Sequence, residues 1–381
     1  MTTSLTTPRP WWKRAIRFCL WFFTSLFCLI LFIASYSGKL EPSTFPVGSL
    51  LLLSYPLWLI LTVLIAVIDG FACRRALLIV VLTFAACIPS LWNYSPFNVI
   101  PARADKDAGD STFRFISYNV CAFHNFMNRF PGDVNPTVSF LLNCDADIIN
   151  LQEVYAFSTS AGERVTSSQI DSLNHQFPYM LLNGNTQALL SKFPAVSIAC
   201  DYQQRAGNEI AIFRADIYGT RVTIFDVHLQ SYGLSDDDKN LYKELFRLDA
   251  SDFSRINEIR HQLLDKIQTA AEQRAADAHR LGELINRFGG PNVIVAGDFN
   301  DVPGCYTLQY LDDFGLREVY PEVAFGPMIS YNSDKFYFRI DHVLYRGALK
   351  PLSMHRGRVR SSDHYPVIVE FAVTSGSNAE N

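Results

Sequence analysis

The sequence predicts an α/β fold in which two packed sheets carry helices on their outer faces, preceded by three transmembrane helices. Two features of the 381-residue chain point there. Three apolar, charge-free stretches crowd the N-terminus. Downstream, short β-rich runs alternate with helical patterns, the order expected of sheets that bury one face and meet helices on the other.

The apolar stretches run about Phe18 to Tyr36, Val47 to Ile68 and Ala76 to Trp92. A helix needs about 20 apolar residues to cross a bilayer, with roughly 17 as the lower limit. The first two meet this comfortably and the third only just. A buried core helix is the alternative for any one of them, and no small-residue cleavage site follows the first. Arg9, Lys13, Arg14 and Arg17 precede the first stretch, and Arg74 and Arg75 separate the second from the third. Lys39 in the first connection is offset by Glu41. The positive-inside bias therefore predicts a multi-pass protein of the inner (plasma) membrane with a cytoplasmic N-terminus. Three spans place the remainder in the periplasm or outside the cell; if the third does not insert, it faces the cytoplasm.

Charge divides the chain at the same place. Residues 1–99 contain two acidic and seven basic residues, leaving 35 acidic against 26 basic residues downstream, a formal charge of −9 in a chain whose total is −4. That balance disfavours indiscriminate polyanion binding, although a carboxylate-rich metal site would also contribute to it. Cys121, Cys144, Cys200 and Cys305 have no metal-ligand spacing. They suit either disulfides in an oxidising compartment or small buried side chains.

Residues 94–111, with Pro96, Pro101 and Gly109, read as a linker. Strands are expected over Phe113 to Val120, Asp147 to Glu153, Gln187 to Ser191, Glu209 to Ile217, Arg221 to Leu229, Asn292 to Ala296, Arg339 to Tyr345 and Pro366 to Val373. Helical spacing covers Thr137 to Asn143 and Asp252 to Phe288. The segment Tyr232 to Leu248 suits a lid or membrane-facing flap, and the tail from Thr374 reads as frayed.

Polar residues punctuate the ends of these strands. Asn119 and Glu153 each close an apolar run. Oxygen-bearing side chains there suit Mg²⁺, a hard cation that takes few protein ligands and keeps several waters. Asp226 and His228 share one face of a strand through their i,i+2 spacing. The run Val293 to Ala296 delivers Gly297-Asp298-Phe299-Asn300, two polar groups two residues apart behind a glycine. One can orient water while the other stabilises charge on a phosphate. Asp341 follows a strand-like run and Ser362-Asp363-His364 precede another. A carboxylate that orients a histidine fixes its tautomer and raises its basicity. Taken singly, each of these residues also has an ordinary structural reading.

Together and in this order they resemble the endonuclease/exonuclease/phosphatase superfamily, from roughly Phe113 to Val373. Ala188-Leu189-Leu190-Ser191-Lys192-Phe193-Pro194 also looks like that family's serine-lysine turn. The resemblance implies a four-layer α/β/β/α sandwich of two mostly antiparallel sheets. The expected organisation is an anchor over residues 1–95, outside the resemblance, a linker over 96–111, a catalytic domain over 112–374 and a tail over 375–381. Glu153, Asn119 and Asp363 would hold Mg²⁺, with Mn²⁺ as the other option. His228 and Asn300 would contact the scissile phosphate, Asp298 would position or deprotonate water, and Asp341 would orient His364. Whether Asp298 or His364 is the base stays open. Asn208 is a further, weaker candidate.

The expected activity is metal-dependent hydrolysis of a phosphodiester in nucleic acid or a phospholipid headgroup, by in-line attack of water. A phosphomonoesterase on the same scaffold and a catalytically silent membrane-bound binding module are the alternatives. Asp301-Val302-Pro303 stand where inositol polyphosphate phosphatases carry an aromatic and an arginine. The basic segment His355 to Arg360 suits either an anionic headgroup or second phosphate, or a solvated loop.

Overall fold

A computed structural model describes residues 10–99, 111–124, 135–155, 165–184, 186–203, 208–233, 253–333 and 336–374. Residues 100–110 of the expected linker, the lid candidate beyond Gly233, and the tail after Thr374 lie outside the described residues.

The N-terminal unit contains α1 (Trp11–Tyr36), α2 (Val47–Leu53), α3 (Tyr55–Ala72), α4 (Leu77–Ala86) and α5 (Ile88–Tyr94). Two of the expected spans need correction. The second stretch is not one helix: it breaks at Ser54, and only Tyr55–Ala72 is long and apolar enough to cross a membrane. The third is two helices bent by 65°, so the described residues hold two helices long and apolar enough to cross a membrane, or three candidates if the bent pair counts as one. Proline explains both breaks. Pro56 and Pro89 sit in the first turns of α3 and α5, where neither can donate to the preceding turn and each ring crowds it.

The downstream strands form two six-stranded sheets. The first comprises β1 (Ser111–Asn119), β2 (Ile148–Gln152), β3 (Tyr179–Asn183), β4 (Gln187–Ser191), β13 (Leu349–Arg356) and β14 (Val367–Val373), in the order β13-β14-β1-β2-β4-β3. The second comprises β5 (Ala195–Gln203), β6 (Asn208–Ile217), β7 (Thr220–His228), β8 (Val293–Asp298), β9 (Arg317–Glu318) and β12 (Asp341–Arg346), in the order β5-β6-β7-β8-β12-β9. A small hairpin pairs β10 (Tyr331–Ser333) with β11 (Phe336–Phe338). Neighbours are antiparallel except β1 with β2 and β7 with β8.

Alternation along the strands builds the layers. Phe113 and Phe115 of β1, Ile224 of β7 and Ile294 of β8 face inward into the core between the sheets. Ile116 and Tyr118 face outward onto Val138, Leu141 and Leu173 of the helices α6 (Pro136–Asn143) and α7 (Ser167–Gln176). Val293 and Val295 face the other way, onto Leu281, Ile285, Leu308 and Leu311 of α8 (Phe253–Phe288) and α9 (Tyr306–Asp312). The result is the four-layer α/β/β/α arrangement expected from the sequence. Cys305 is buried in the outer cluster of the second sheet.

The N-terminal unit does not stand apart from this sandwich. Leu52 of α2 belongs to the same buried cluster as Phe299, Val302 and Cys305. Gly38 abuts the chain at Gly304 so closely that a Cβ would lie 1.8 Å from the Gly304 carbonyl oxygen. The charge-free stretch beginning at Val47 thus buries its first turns against the sandwich. Leu52→Ala is expected to destabilise the β-sandwich by about 2–5 kcal/mol, the usual cost of truncating a buried leucine. Thermal melting of the full-length protein followed by near-UV circular dichroism checks this; an unchanged midpoint contradicts the shared core.

Candidate active site

The two parallel pairs, β1–β2 and β7–β8, occupy central positions in their sheets, and their C-terminal ends converge on one edge. In β1–β2, Asn119 is level with Gln152, so Glu153 follows at the strand tip. In β7–β8, His228 is level with Asp298, and the antiparallel β12 brings Asp341 level with Asp298 from the other side. His364 forms an isolated bridge with Tyr331 just before β14.

Distances at this edge are short. Asn119 Nδ2 donates to Glu153 Oε1 at 3.0 Å and to Asp298 Oδ2 at 3.1 Å. His228 Nε2 lies 3.6 Å from Glu153 Oε1 and 3.9 Å from Asp298 Oδ2. His364 Nε2 lies 3.5 Å from Asp298 Oδ2, while its Nδ1 meets Asp341 Oδ2 at 2.9 Å. Asn300 donates its backbone N–H to Asp298 Oδ1 at 2.8 Å and its side-chain amide to the Leu229 carbonyl at 3.0 Å. Ser362 Oγ donates to the Asn119 carbonyl at 2.9 Å and approaches Asp363 Oδ1 at 3.2 Å, which ties Asp363 to the same edge. All eight residues singled out in the sequence therefore meet here.

Backbone geometry is special at the same points. Glu153 and Asn300 have φ of 58° and 51°, a region that asparagine tolerates and glutamate seldom enters. Gly297 has φ of 146°, and a Cβ there would lie 2.0 Å from the Val227 carbonyl oxygen. The glycine that leads Asp298 is thus required by the close parallel approach of β7.

Burial sets the electrostatics. Asp298 is 1% exposed. Burial pushes its carboxyl up, the neighbouring His364 pulls it down and Asp341 pushes it up again, to about 6. For His364, burial alone would lower the imidazole, but Asp341 and Asp298 outweigh it and raise it well above the ordinary histidine range. His364 is thereby held as a cation between two carboxylates. Among the eight residues of this edge, two buried atoms lack a hydrogen-bond partner among the described residues: Asp341 Oδ1 and His228 Nδ1.

The donor set fits a hard divalent ion. Glu153, Asp298, Asp341 and Asp363 gather about two histidines and two amides, a surplus of negative oxygen ligands that a cation would balance. The carboxylates of Asp298 and Asp341 lie within 4.8 Å of one another, and the unpartnered Asp341 Oδ1 is a free acceptor there.

Asp226 was read in the sequence only as sharing a strand face with His228, and the groups around it, with Arg274 and Glu318, escaped that reading. Asp226, beneath His228, is fully buried; its carboxyl is raised well above the carboxylate range by burial, against the Gln152 amide that donates to it at 2.7 Å. Asn150 and Gln187 reach across between the sheets to the carbonyls of Ala296 and Asp226. Polar residues at inward-facing positions of β2 and β4 were the available signal. Arg274 of α8 is 1% exposed and pairs with Asp301 at 3.0 Å, bracing the loop that carries Asn300. On the other side Glu318 meets both Arg339 and His342. Burial opposes its charge, but these two neighbours prevail and hold it down at about 2.

Other motifs fall elsewhere. Asn208 is engaged by Asp277 of α8 at 2.6 Å. Ser191 and Lys192 lie at the opposite end of the first sheet from Glu153, because β4 runs antiparallel to β2 with Ser191 level with Ile148. Arg356, Arg358 and Arg360 are exposed, and Arg356 stacks over Tyr365 at 4.3 Å.

Comparison with known proteins agrees with this architecture. Residues 116–364 match the profile of the endonuclease/exonuclease/phosphatase family, about two thirds of the chain, and the protein belongs to that family. Residues 17–94 match a separate domain family of unknown function, DUF8431. No curated protein matches. Among solved structures, an endonuclease/exonuclease/phosphatase protein of Beutenbergia cavernae is 15% identical, with a TM-score of 0.46 over 69% of this chain and 72% of that one. ANGEL2, a 2′,3′-cyclic phosphatase solved with adenosine-2′,3′-vanadate, is 13% identical with a TM-score of 0.44, covering 69% and 96%. D. rerio TDP2, solved with a single-strand DNA product, is 15% identical with a TM-score of 0.42, covering 69% and 98%.

Gly297→Ala is expected to lower stability by at least about 1 kcal/mol, because the added methyl meets the Val227 carbonyl in a strained conformation. A melting temperature equal to that of the unaltered protein would show that β7 and β8 do not approach this closely.

Proposed function

We propose that this protein is a membrane-anchored, Mg²⁺-dependent phosphodiesterase whose catalytic centre is the edge formed by Asn119, Glu153, His228, Asp298, Asn300, Asp341, Asp363 and His364. The observation that carries the reading is the convergence on Asp298. An amide, a buried cation and a backbone N–H from three separate segments all reach its carboxylate.

Phosphoryl transfer gains most from positioning and from stabilising charge on the phosphoryl oxygens. Glu153, Asn119 and Asp363 would hold the ion, which supplies charge neutralisation on the phosphate and the leaving oxygen. His364, charged and oriented by Asp341, donates to a nonbridging oxygen rather than acting as base. Asp298 is the better acceptor for the proton of the attacking water: its carboxyl sits near 6, close enough to neutrality for efficient transfer. His228 and the Asn300 amide face the phosphate from the β7–β8 side. Water attacks in line with the leaving group, and no covalent intermediate forms.

Two observations support the membrane location. Trp11–Lys39 and Tyr55–Ala72 satisfy the length and apolarity of spans, and the bent pair can supply a third. The sandwich touches the unit at Gly38, Leu52 and Trp92, so the first connection and the end of α5 lie on its side. With the basic N-terminus in the cytoplasm, that side is the periplasmic or extracellular one.

The test is hydrolysis of bis-p-nitrophenyl phosphate and p-nitrophenyl phosphate by the full-length protein in detergent, with Mg²⁺, Mn²⁺ or EDTA. Turnover of the diester that EDTA abolishes is expected. Preference for the monoester would replace the reading with a phosphomonoesterase, and no turnover of either would favour a silent binding module. His364→Ala is expected to lower kcat on the order of 10²–10³-fold, the scale of losing one donor to a developing oxyanion. Glu153→Ala is expected to raise the Mg²⁺ concentration needed for half-maximal rate. A fully active His364→Ala protein contradicts the assigned role.

A further inference from the structure

We propose that Arg339 is a positioning residue through which the end of the N-terminal helical unit holds the catalytic strand end of β12 against β8. The inference rests on the phosphodiesterase reading for its effect on rate, but the mechanical coupling stands apart from it.

Arg339 lies two residues before Asp341 and is 3% exposed. A buried guanidinium needs acceptors in fixed directions, and this one takes them from two parts of the chain. Nη1 pairs with Glu318 at the end of β9. Nη2 donates to the Asn93 carbonyl at 2.6 Å. Asn93 lies in the last turn of α5, where carbonyls lack helical partners and carry the negative end of the helix dipole. The guanidinium plane sits over Tyr320, 4.3 Å from the ring centre.

From there the contacts run under the catalytic edge. Glu318 Oε1 meets His342 Nδ1 at 2.7 Å, and His342 Nε2 meets the Asp301 carbonyl at 3.0 Å. His342 and Asp301 are the immediate neighbours of Asp341 and Asn300. Phe299 N–H donates to the Ile340 carbonyl at 3.0 Å, so the two segments are also tied through their backbones. The chain of contacts from Asn93 through Arg339, Glu318 and His342 to Asp301 thus ends beside both catalytic groups.

The end of α5 and the segment just after it grip the same region a second time, at the short helix α10 (Val319–Val323) that follows Glu318. Trp92 Nε1 donates to the Pro321 carbonyl at 2.9 Å. Asn98 Nδ2 donates to the carbonyls of Pro321 and Ala324 at 3.0 and 2.8 Å. Gly326 N–H donates to the Pro96 carbonyl at 2.7 Å, and Phe97 packs edge-on against Phe325. The end of α5 therefore does more than tether the domain: it fixes the platform from which Glu318 and Arg339 orient β12. A displacement of about 1 Å at a catalytic group costs on the order of 10²-fold in rate, so small shifts of this platform reach the chemistry.

The experiment uses the full-length protein in detergent. The double variant Trp92→Phe/Asn98→Ala removes side-chain contacts made by the helical unit and alters no residue of the catalytic edge. It is expected to lower kcat about tenfold with KM within about twofold, and to speed amide hydrogen exchange at residues 299–301 and 341–343. Arg339→Met is expected to lower kcat about 100-fold, with Arg339→Lys recovering part of the loss through its pairing with Glu318. Unchanged exchange at these amides in the double variant, or wild-type kcat in a folded Arg339→Met protein, overturns the proposal. If the unaltered protein hydrolyses no phosphodiester, the functional reading fails while the exchange measurement still decides the coupling.

Discussion

The buried carboxylate of Asp298 is the constraint around which the candidate active site is organised. At 1% exposure it cannot be solvated by water, so its charge has to be met by fixed groups. The protein meets it with the Asn119 amide from the first sheet, the Asn300 N–H from the following turn, and the His364 cation beside β14. Each of these comes from a different segment, so satisfying one acid obliges both sheets to end at the same place. Asp341 then holds His364 from behind, and the strained φ at Glu153 and Asn300 turns two further side chains toward the same point. Such strain persists only where the surroundings over-determine it.

Beneath this edge lies a layer of polar side chains between the sheets. Gln152 and Asp226 meet at 2.7 Å, and Asn150 and Gln187 bond to carbonyls across the gap. In an interior otherwise filled by phenylalanine, valine and isoleucine, these directional contacts fix how the two sheets register on each other. The outer layers differ in what covers them. The first sheet is covered by α6 and α7. The second is covered by α8 and α9 together with Leu52 from the N-terminal unit. The N-terminal helical unit and the sandwich thus share a hydrophobic cluster through Leu52, and Gly38 permits the backbone contact at Gly304 that brings them together.

Much of the sandwich was legible because burial on one side of a strand leaves a period-two pattern. The runs around Phe115, Ile149, Leu189, Ile212, Ile224, Val295, Val343 and Val369 all became strands. β3, β5 and β13 were missed, as were the two-residue β9 and the short β10–β11 hairpin. β3 is only half-buried, and β5 and β13 each contain a register shift, at Ser197/Ala199 and Pro351/Ser353, that breaks the alternation. The spans were misjudged for a related reason. Hydropathy reads composition but not the local geometry of Pro56 and Pro89, nor whether an apolar turn such as Leu51-Leu52-Leu53 will meet lipid or protein.

The sequence by itself determined which residues stand out as candidates, because amides, carboxylates and imidazoles at the tips of apolar runs have few reasons to be there and recur in one order along the chain. Only the tertiary structure decided how those groups share their charges. Whether an aspartate is an ordinary surface acid or one raised to about 6 depends on burial and on neighbours dozens to hundreds of residues away. The same holds for Arg339. It is two positions from Asp341 in sequence, yet its role follows from a carbonyl at Asn93, a contact between residues 246 positions apart that no local pattern encodes.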